Sequence, residues 1–380
     1  MLFEFSDEHG ELRRTVRNFL EKESDEKRVR ELMADEQGYD PMVWSRMAEE
    51  LGIVGLIVSE RHGGVGFGMV ELAIVAEEMG RVLLCAPYLG SAVLATSALE
   101  LAADEAAQNE ILPKLATGEA VGTLAFSEVA NPWDLSAIAM TAESSGGAFQ
   151  LSGEKTYVLD GHVASEIIVV ARADRELALF RVAADAAGLS CEVLPPLDPT
   201  RRLAALRFER TPATRISSGD ISDKLERVLD RAIVTLAAEQ LGGAQRVLEM
   251  ATDYAKTRFQ FGRAIGSFQV IKHQCADMLV EVELARSAVY SAAFESEEDP
   301  ESASIAARMA KSYCSEAYLD VANRNIQIHG GMGFTWEHGA HLYFKRAKAS
   351  EVLFGSPIFH RERMAASLGF GAGGVDSVEA

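Results

Sequence analysis

Three short stretches of this chain combine residue types that can hold a ligand or move a proton. In RFQFGRAIGSFQ (258–269), an arginine, an aromatic, a glycine and a glutamine fall between two helical patterns. Arg258 offers a planar donor fork that suits phosphate, Phe261 can cover a base, and Gly262 lets a ligand approach the backbone. QIHGGMGF (327–334) leaves a helical pattern through glycines whose exposed amides can receive an anion. Its spacing matches neither a Walker loop nor a Rossmann fingerprint, and no strand precedes it. Both stretches also read as ordinary helix connections. The third, EVLFGSPIF (351–359), sets Glu351 before two apolar residues and a Gly-Ser-Pro break. That is the pattern of a buried general base or of a plain helix end.

The elements that must position these residues fall into three blocks. Residues 1–118 read as an N-terminal helical domain: Asp40-Pro41 is a helix start with Asp as N-cap and Pro at the first position, and Gly52 is its stop. VELAIVAEEMG (70–80) and DEAAQNEILPKLATG (104–118) are further helices. Residues 119–220 change to short strand-like runs such as KTYVL, EIIVVA, LALFRV and AALRF, parted by SSGG (144–147), Asp160-Gly161 and Pro195-Pro196. These predict a small antiparallel β domain. Residues 221–368 carry four long helical stretches, and so a four-helix bundle. The second stretch starts at Ser267 as N-cap, the third at Asp299-Pro300, and the fourth runs from about His338 to Leu368. Residues 369–380 form a Gly-rich flexible tail.

Composition narrows the partners. A formal charge of −20, from 57 acidic against 37 basic residues, argues against nucleic acid and anionic membranes. The four cysteines form no CxxC pair, which predicts a reducing cytoplasm. No apolar run approaches the ~20 residues of a membrane span, and the first residues do not make a signal peptide.

Taken in order, RFQFGRAIGSFQ and QIHGGMGF resemble the paired signatures of the acyl-CoA dehydrogenase family. Trp44, the run LGIVGLIVSERHGGVGFGMVELAIVAEEMGR (51–81) and the helical, β, four-helix order resemble that family too. The likeness covers essentially the whole chain and implies its fold. It also implies FAD and the removal of two hydrogens from an acyl-CoA thioester, with a carboxylate taking the α-proton and the flavin a β-hydride. In the family the ADP half of FAD is held by a neighbouring chain. The matching residues here are Arg258, Phe261, Gln269, Gln327, Gly330 and Gly331.

The flavin-ring half departs from the family pattern. SEVANPWD (127–134) keeps Ser127, Glu128 and Asp134, but Pro132 and Trp133 stand where Gly and Ser are expected. Tyr157-Val158-Leu159 replaces Trp-Ile-Thr, so the flavin-side hydroxyl is missing. The catalytic Tyr-Glu-Gly-Thr aligns with Leu353-Phe354-Gly355-Ser356, which puts Phe354 in the base position. The alternative glutamate position, on the first long C-terminal helix, is Ala232. Glu351 and Glu239 are the acids nearest in sequence, but Glu239 lies about 10 Å along its helix from Ala232, beyond reach of the proton. No catalytic residue is therefore assigned. His329, His338 and His341 with Glu337 have the composition of a metal site, but the resemblance implies none, and none is expected.

The leading expectation is a non-catalytic partner in a heteromeric acyl-CoA dehydrogenase of the steroid-side-chain type. Such a chain would meet acyl-CoA, a catalytic paralogue in a heterotetramer and an electron-transferring flavoprotein. The alternatives are a self-sufficient homotetrameric dehydrogenase with a relocated base, and a flavin monooxygenase or desulfinase on the same fold.

Overall fold

The computed structural model describes residues 5–145, 148–296 and 300–370. Its first helices are set by their caps. Ser6 caps α1 (Asp7–Glu23), Asp25 caps α2 (Glu26–Ala34), and Asp40 accepts from the amides of Met42 and Val43 at the head of α3 (Pro41–Glu49). Gly52 then turns the chain away at φ +67°. Next come α4 (Met69–Arg81), a π-helical run at Tyr88–Ala95, α5 (Thr96–Ala102) and α6 (Glu105–Ala116), the last capped by Asp104.

Seven strands follow: β1 (Gly122–Ala125), β2 (Thr141–Ser145), β3 (Ala148–Leu159), β4 (Glu166–Ala173), β5 (Glu176–Ala183), β6 (Leu189–Val193) and β7 (Leu203–Arg215). β4, β2, β3, β7 and β5 pair in a ring that β4–β5 closes around Leu151, Val169, Phe180 and Phe208. Most pairs are antiparallel, as the pattern predicts. β1, however, runs parallel to β4, with Gly122 opposite Glu166, and β2 touches β4 in parallel at Thr141. Strand periodicity encodes which face is buried but not strand direction, so the parallel pairs had no local signature. KTYVL joins the preceding FQLSG (149–153) in one strand, β3, whose register shifts fall beside Gly153 and Tyr157, both at positive φ. Gly146 and Gly147 of the SSGG turn lie outside the described residues.

α7 (Ser222–Thr257) is one 36-residue helix. It crosses α4 at backbone contact: a Cβ on Gly242 would sit 1.8 Å from the Glu77 carbonyl, and one on Gly80 1.9 Å from that of Glu239. A two-residue hairpin, β8 (Phe259–Gln260) and β9 (Arg263–Ala264), leads to α8 (Gln269–Glu295) and α9 (Pro300–His329). Ser267 does not cap α8. Its hydroxyl donates to the Ala264 carbonyl inside a 3-10 turn, and the helix begins after Phe268. Asp299, read as the cap of α9, lies outside the described residues.

The last stretch divides into α10 (Ala340–Val352) and α11 (Pro357–Ser367), where Ser356 caps a helix that opens on Pro357. A single apolar core joins the helices before and after the sheet. Among the described residues no helix is long and apolar enough to cross a membrane.

Candidate cofactor and substrate site

Two neighbouring turns carry the residues singled out for a cofactor. Arg258 ends α7, its amide bonded to the Tyr254 carbonyl. Its guanidinium has no ion-pair partner among the described residues and is exposed. The hairpin beyond it turns through Phe261 (φ +54°) and Gly262 (φ +78°), as a two-residue primed turn requires. A phenylalanine rarely adopts that conformation, and here its ring is 91% exposed. Gln269 opens α8 and is also exposed.

At the end of α9, Gln327 is exposed and Gly330 turns at φ +63°. A Cβ added at Gly330 or Gly331 would meet nothing within 4 Å. The Tyr254 ring stacks on His329 at 4.2 Å, so the ends of α7 and α9 adjoin. Around these turns Phe334, Trp336 and Val270 are exposed, as are Leu279, Val280 and Leu284 along α8. The arrangement fits the ADP half of a dinucleotide: an unpaired arginine, an open glycine turn with free backbone, and exposed aromatics.

The second region is a cleft of about 420 Å³ between the sheet and α10, walled by Pro132, Trp133, Tyr157, Leu197, Val352 and Leu353. Glu128 folds its lip. That carboxylate accepts from the buried Lys155 ammonium at 2.6 Å and from the amides of Ala139 and Met140. These bonds outweigh burial and hold Glu128 below the usual carboxylate range, while burial pushes Lys155 down to about 8. Trp133 packs against Phe126, Tyr157 and, edge-on at 5.7 Å, Phe354. Phe354 is buried at φ +59°. The Ser127 hydroxyl is buried without a partner, as a ligand-facing hydroxyl would be. Leu159, also buried, has none to offer.

The carboxylates near the cleft are mostly committed. Glu351 pairs with Lys348. Glu239 accepts from Arg201 at 2.6 and 2.7 Å and from Arg346 at 2.7 Å, which holds it below the usual carboxylate range although it is largely buried. Asp198 binds Arg346 at 2.6 Å. Ala232 is fully buried in α7. Asp160 is the exception, because burial raises it to about 7. It lines, with Glu239 and Thr235, a void of only about 30 Å³, room for about one water and not for a thioester. His329 and His338 lie ring against ring at 4.4 Å, while His341 packs on Trp336. Among the described residues no cluster of three or more metal-binding side chains forms.

Sequence reasoning missed the Arg201–Glu239–Arg346–Asp198 network and the buried Lys311. The network joins residues up to 148 positions apart, and no local pattern marks it. Lys311 had a signal: it sits on the apolar stripe Ala307, Cys314 and Tyr318 of α9, where an unpaired cation is expensive.

A three-part fold of helices, β ring and helical bundle, with open turns at the ends of α7 and α9, defines an acyl-CoA dehydrogenase, and the chain belongs to that family. The models of the acyl-CoA dehydrogenase N-terminal domain and C-terminal domain match residues 6–119 and 225–369. Among individual relatives, acyl-CoA dehydrogenase IpdE2 of Mycobacterium tuberculosis is 37% identical over 351 residues, covering 92% of this chain and 94% of that protein. Among solved structures, a chain of the ChsE4–ChsE5 complex from Mycobacterium tuberculosis is 29% identical with a TM-score of 0.89, covering 98% of this chain and 100% of that one. A chain of a variant of the Tcur3481–Tcur3483 steroid ACAD is 30% identical with a TM-score of 0.87, covering 96% of this chain and 98% of that one.

Proposed function

We propose that this chain is the non-catalytic subunit of a heteromeric acyl-CoA dehydrogenase acting on a bulky, steroid-type CoA thioester. The observation that carries the reading is the missing base. Phe354 and Ala232 occupy both positions where the family carries it, and Glu351, Glu239 and Asp198 are tied to cations. Bound FAD supplies the hydride acceptor. Arg258, Phe261, Gln269, Gln327, Gly330 and Gly331 hold the ADP half of the cofactor whose ring sits in a catalytic paralogue. Arg258 neutralises pyrophosphate, the glycines admit its oxygens to backbone amides, and Phe261 covers the base. The apolar face of α8 meets the same paralogue. The heteromeric ChsE4–ChsE5 and Tcur3481–Tcur3483 relatives support this assembly. An electron-transferring flavoprotein is the expected acceptor, and four free cysteines suit a reducing cytoplasm.

The test is to purify the chain alone and together with a paralogue bearing a glutamate at either base position. The lone chain is expected to be colourless at flavin wavelengths and inert on steroid-type acyl-CoA, since loss of a base costs about 100- to 10,000-fold. The pair is expected to be yellow and active. A stoichiometric, active flavoprotein from the lone chain refutes the reading.

A further inference from the structure

The break between α10 and α11 is held by an unusual tether. Lys311, on α9, is fully buried, and its ammonium donates to the Ser315 hydroxyl (2.8 Å) and to the carbonyls of Ser350 (3.0 Å), Glu351 (3.1 Å) and Gly355 (3.2 Å). Three of these acceptors belong to the last turn of α10 and the loop beyond it. Ser350 and Glu351 are among the carbonyls that a helix end leaves without intrahelical partners, at the negative pole of the helix. Among the described residues no carboxylate touches the ammonium. The titratable groups facing it are Cys314 on its own helix, Glu351 on α10 and His360 on α11. Burial lowers Lys311 to about 7 and His360 to about 3. The pocket is therefore built around one cation and oxygen dipoles.

The loop it gathers is strained. Phe354 stands at φ +59° and Gly355 at φ +110°, where an added Cβ would lie 2.4 Å from the Phe359 ring. A left-handed phenylalanine persists only where its surroundings over-determine it. A simple link between two helices requires neither that strain nor a buried cation. We infer that Lys311 is the positioning residue of loop 353–356: by drawing the Ser350, Glu351 and Gly355 carbonyls to one point, it fixes residue 354 so that its side chain packs on Trp133 beside the cleft. The frame belongs to the backbone and Lys311, and it is indifferent to which side chain occupies 354. The inference goes beyond the partner-subunit reading and does not depend on it, because it concerns only contacts within this chain.

Trp133 reports the geometry, and subtracting a W133F background isolates its emission from Trp44 and Trp336. In full-length K311M, Trp133 emission is expected to shift to longer wavelength and its acrylamide quenching to rise about twofold, with far-UV circular dichroism unchanged. K311Q, which retains two N–H donors, is expected to fall between K311M and wild type. In an F354A background K311M should add nothing, because the two residues act through one contact. Wild-type emission and quenching in both Lys311 variants, or full additivity with F354A, overturns the proposal. Hydrogen exchange on the wild type decides the matter independently of any variant's folding. The Leu353 and Gly355 amides, bonded to Ala349 and Val352, should exchange as slowly as the interior of α10. Exchange as fast as that of the exposed turn at Phe334–Trp336 overturns it.

Discussion

Gly331 offers a substitution that is silent in the chain and audible only to a ligand. It lies in the 3-10 turn Gly330–Phe334, its φ is not left-handed, and an added Cβ meets no atom within 4 Å. G331A should therefore leave the isolated chain's Tm unchanged or slightly higher, since a compatible Gly→Ala change stabilises by about 0.4–1 kcal/mol through the unfolded state. If a pyrophosphate rests on that backbone, the new methyl intrudes on a close contact. Overpacking of this kind costs about 1–3 kcal/mol. At about 1.4 kcal/mol per tenfold, FAD affinity should weaken by roughly 5- to 150-fold. The assay is FAD titration of the apo-heteromer followed by flavin fluorescence, beside thermal unfolding of the lone subunit. R258A provides the second arm, removing a charge-assisted contact worth about 1.5–3 kcal/mol. G355A is the contrast, a clash with Phe359 inside the chain that should lower Tm with no ligand present. A folded G331A chain whose heteromer binds FAD within twofold of wild type would refute the placement of the ADP half at this turn.

Two further outcomes follow from the buried charges. R346M leaves the buried Asp198 without its cation and the largely buried Glu239 with one fewer, and should destabilise by about 3–5 kcal/mol in urea unfolding; a loss under about 1 kcal/mol contradicts the network's role. Because Glu239 is held below its ordinary value, its contribution is present above the unfolded carboxylate range and is lost as pH falls through the folded value. Asp160 has the opposite sign. Raised to about 7 when folded against about 4 unfolded, it takes up a proton on folding between those values. Its contribution to stability therefore falls as pH rises from 4 to 7 and is flat above. D160N should gain up to about 4 kcal/mol relative to wild type at pH 8 and nothing at pH 4, at about 1.36 kcal/mol per unit. Parallel pH–stability curves for D160N and wild type would exclude this.

Much of the fold was legible because it is written locally. Asp40-Pro41 caps where expected, Gly52 turns the chain, and β4 and β5 are the apolar runs EIIVVA and LALFRV. Ser267 misled because a serine before a helical pattern can bond back into the preceding turn instead of forward. The final helix read as one piece because its apolar pattern continues through Gly355, although the same Gly-Ser-Pro signalled the break. The parallel β1 and the Arg346 network depend on residues far apart in sequence, and their energies appear only after tertiary contact. The six candidate cofactor residues were found by motif. The structure adds that all six are exposed, Gln269 and Gln327 at the ends of α8 and α9 and the others at the adjoining turns, whereas Phe354 is buried against Trp133.

That contrast explains why the two halves differ. In the subunit proposed above the cleft would hold neither flavin ring nor acyl chain, and unfilled volume costs about 24 cal/mol per Å³, or roughly 2.4 kcal/mol for each 100 Å³. Trp133 and Phe354, meeting edge-on at 5.7 Å, pack beside the cleft and would limit that volume on the proposed reading. The ADP-side turns show the reverse. Phe261 sits at a left-handed φ with 91% of its surface in solvent, and Phe334 is 80% exposed. Within the described residues the Phe261 ring meets Phe268 edge-on at 6.1 Å, which leaves most of its surface for the partner of the proposed assembly to cover. A chain decaying as a whole would relax both regions. This one buries Phe354 against Trp133 and keeps a costly surface that the cofactor and partner of the proposed heteromer would cover.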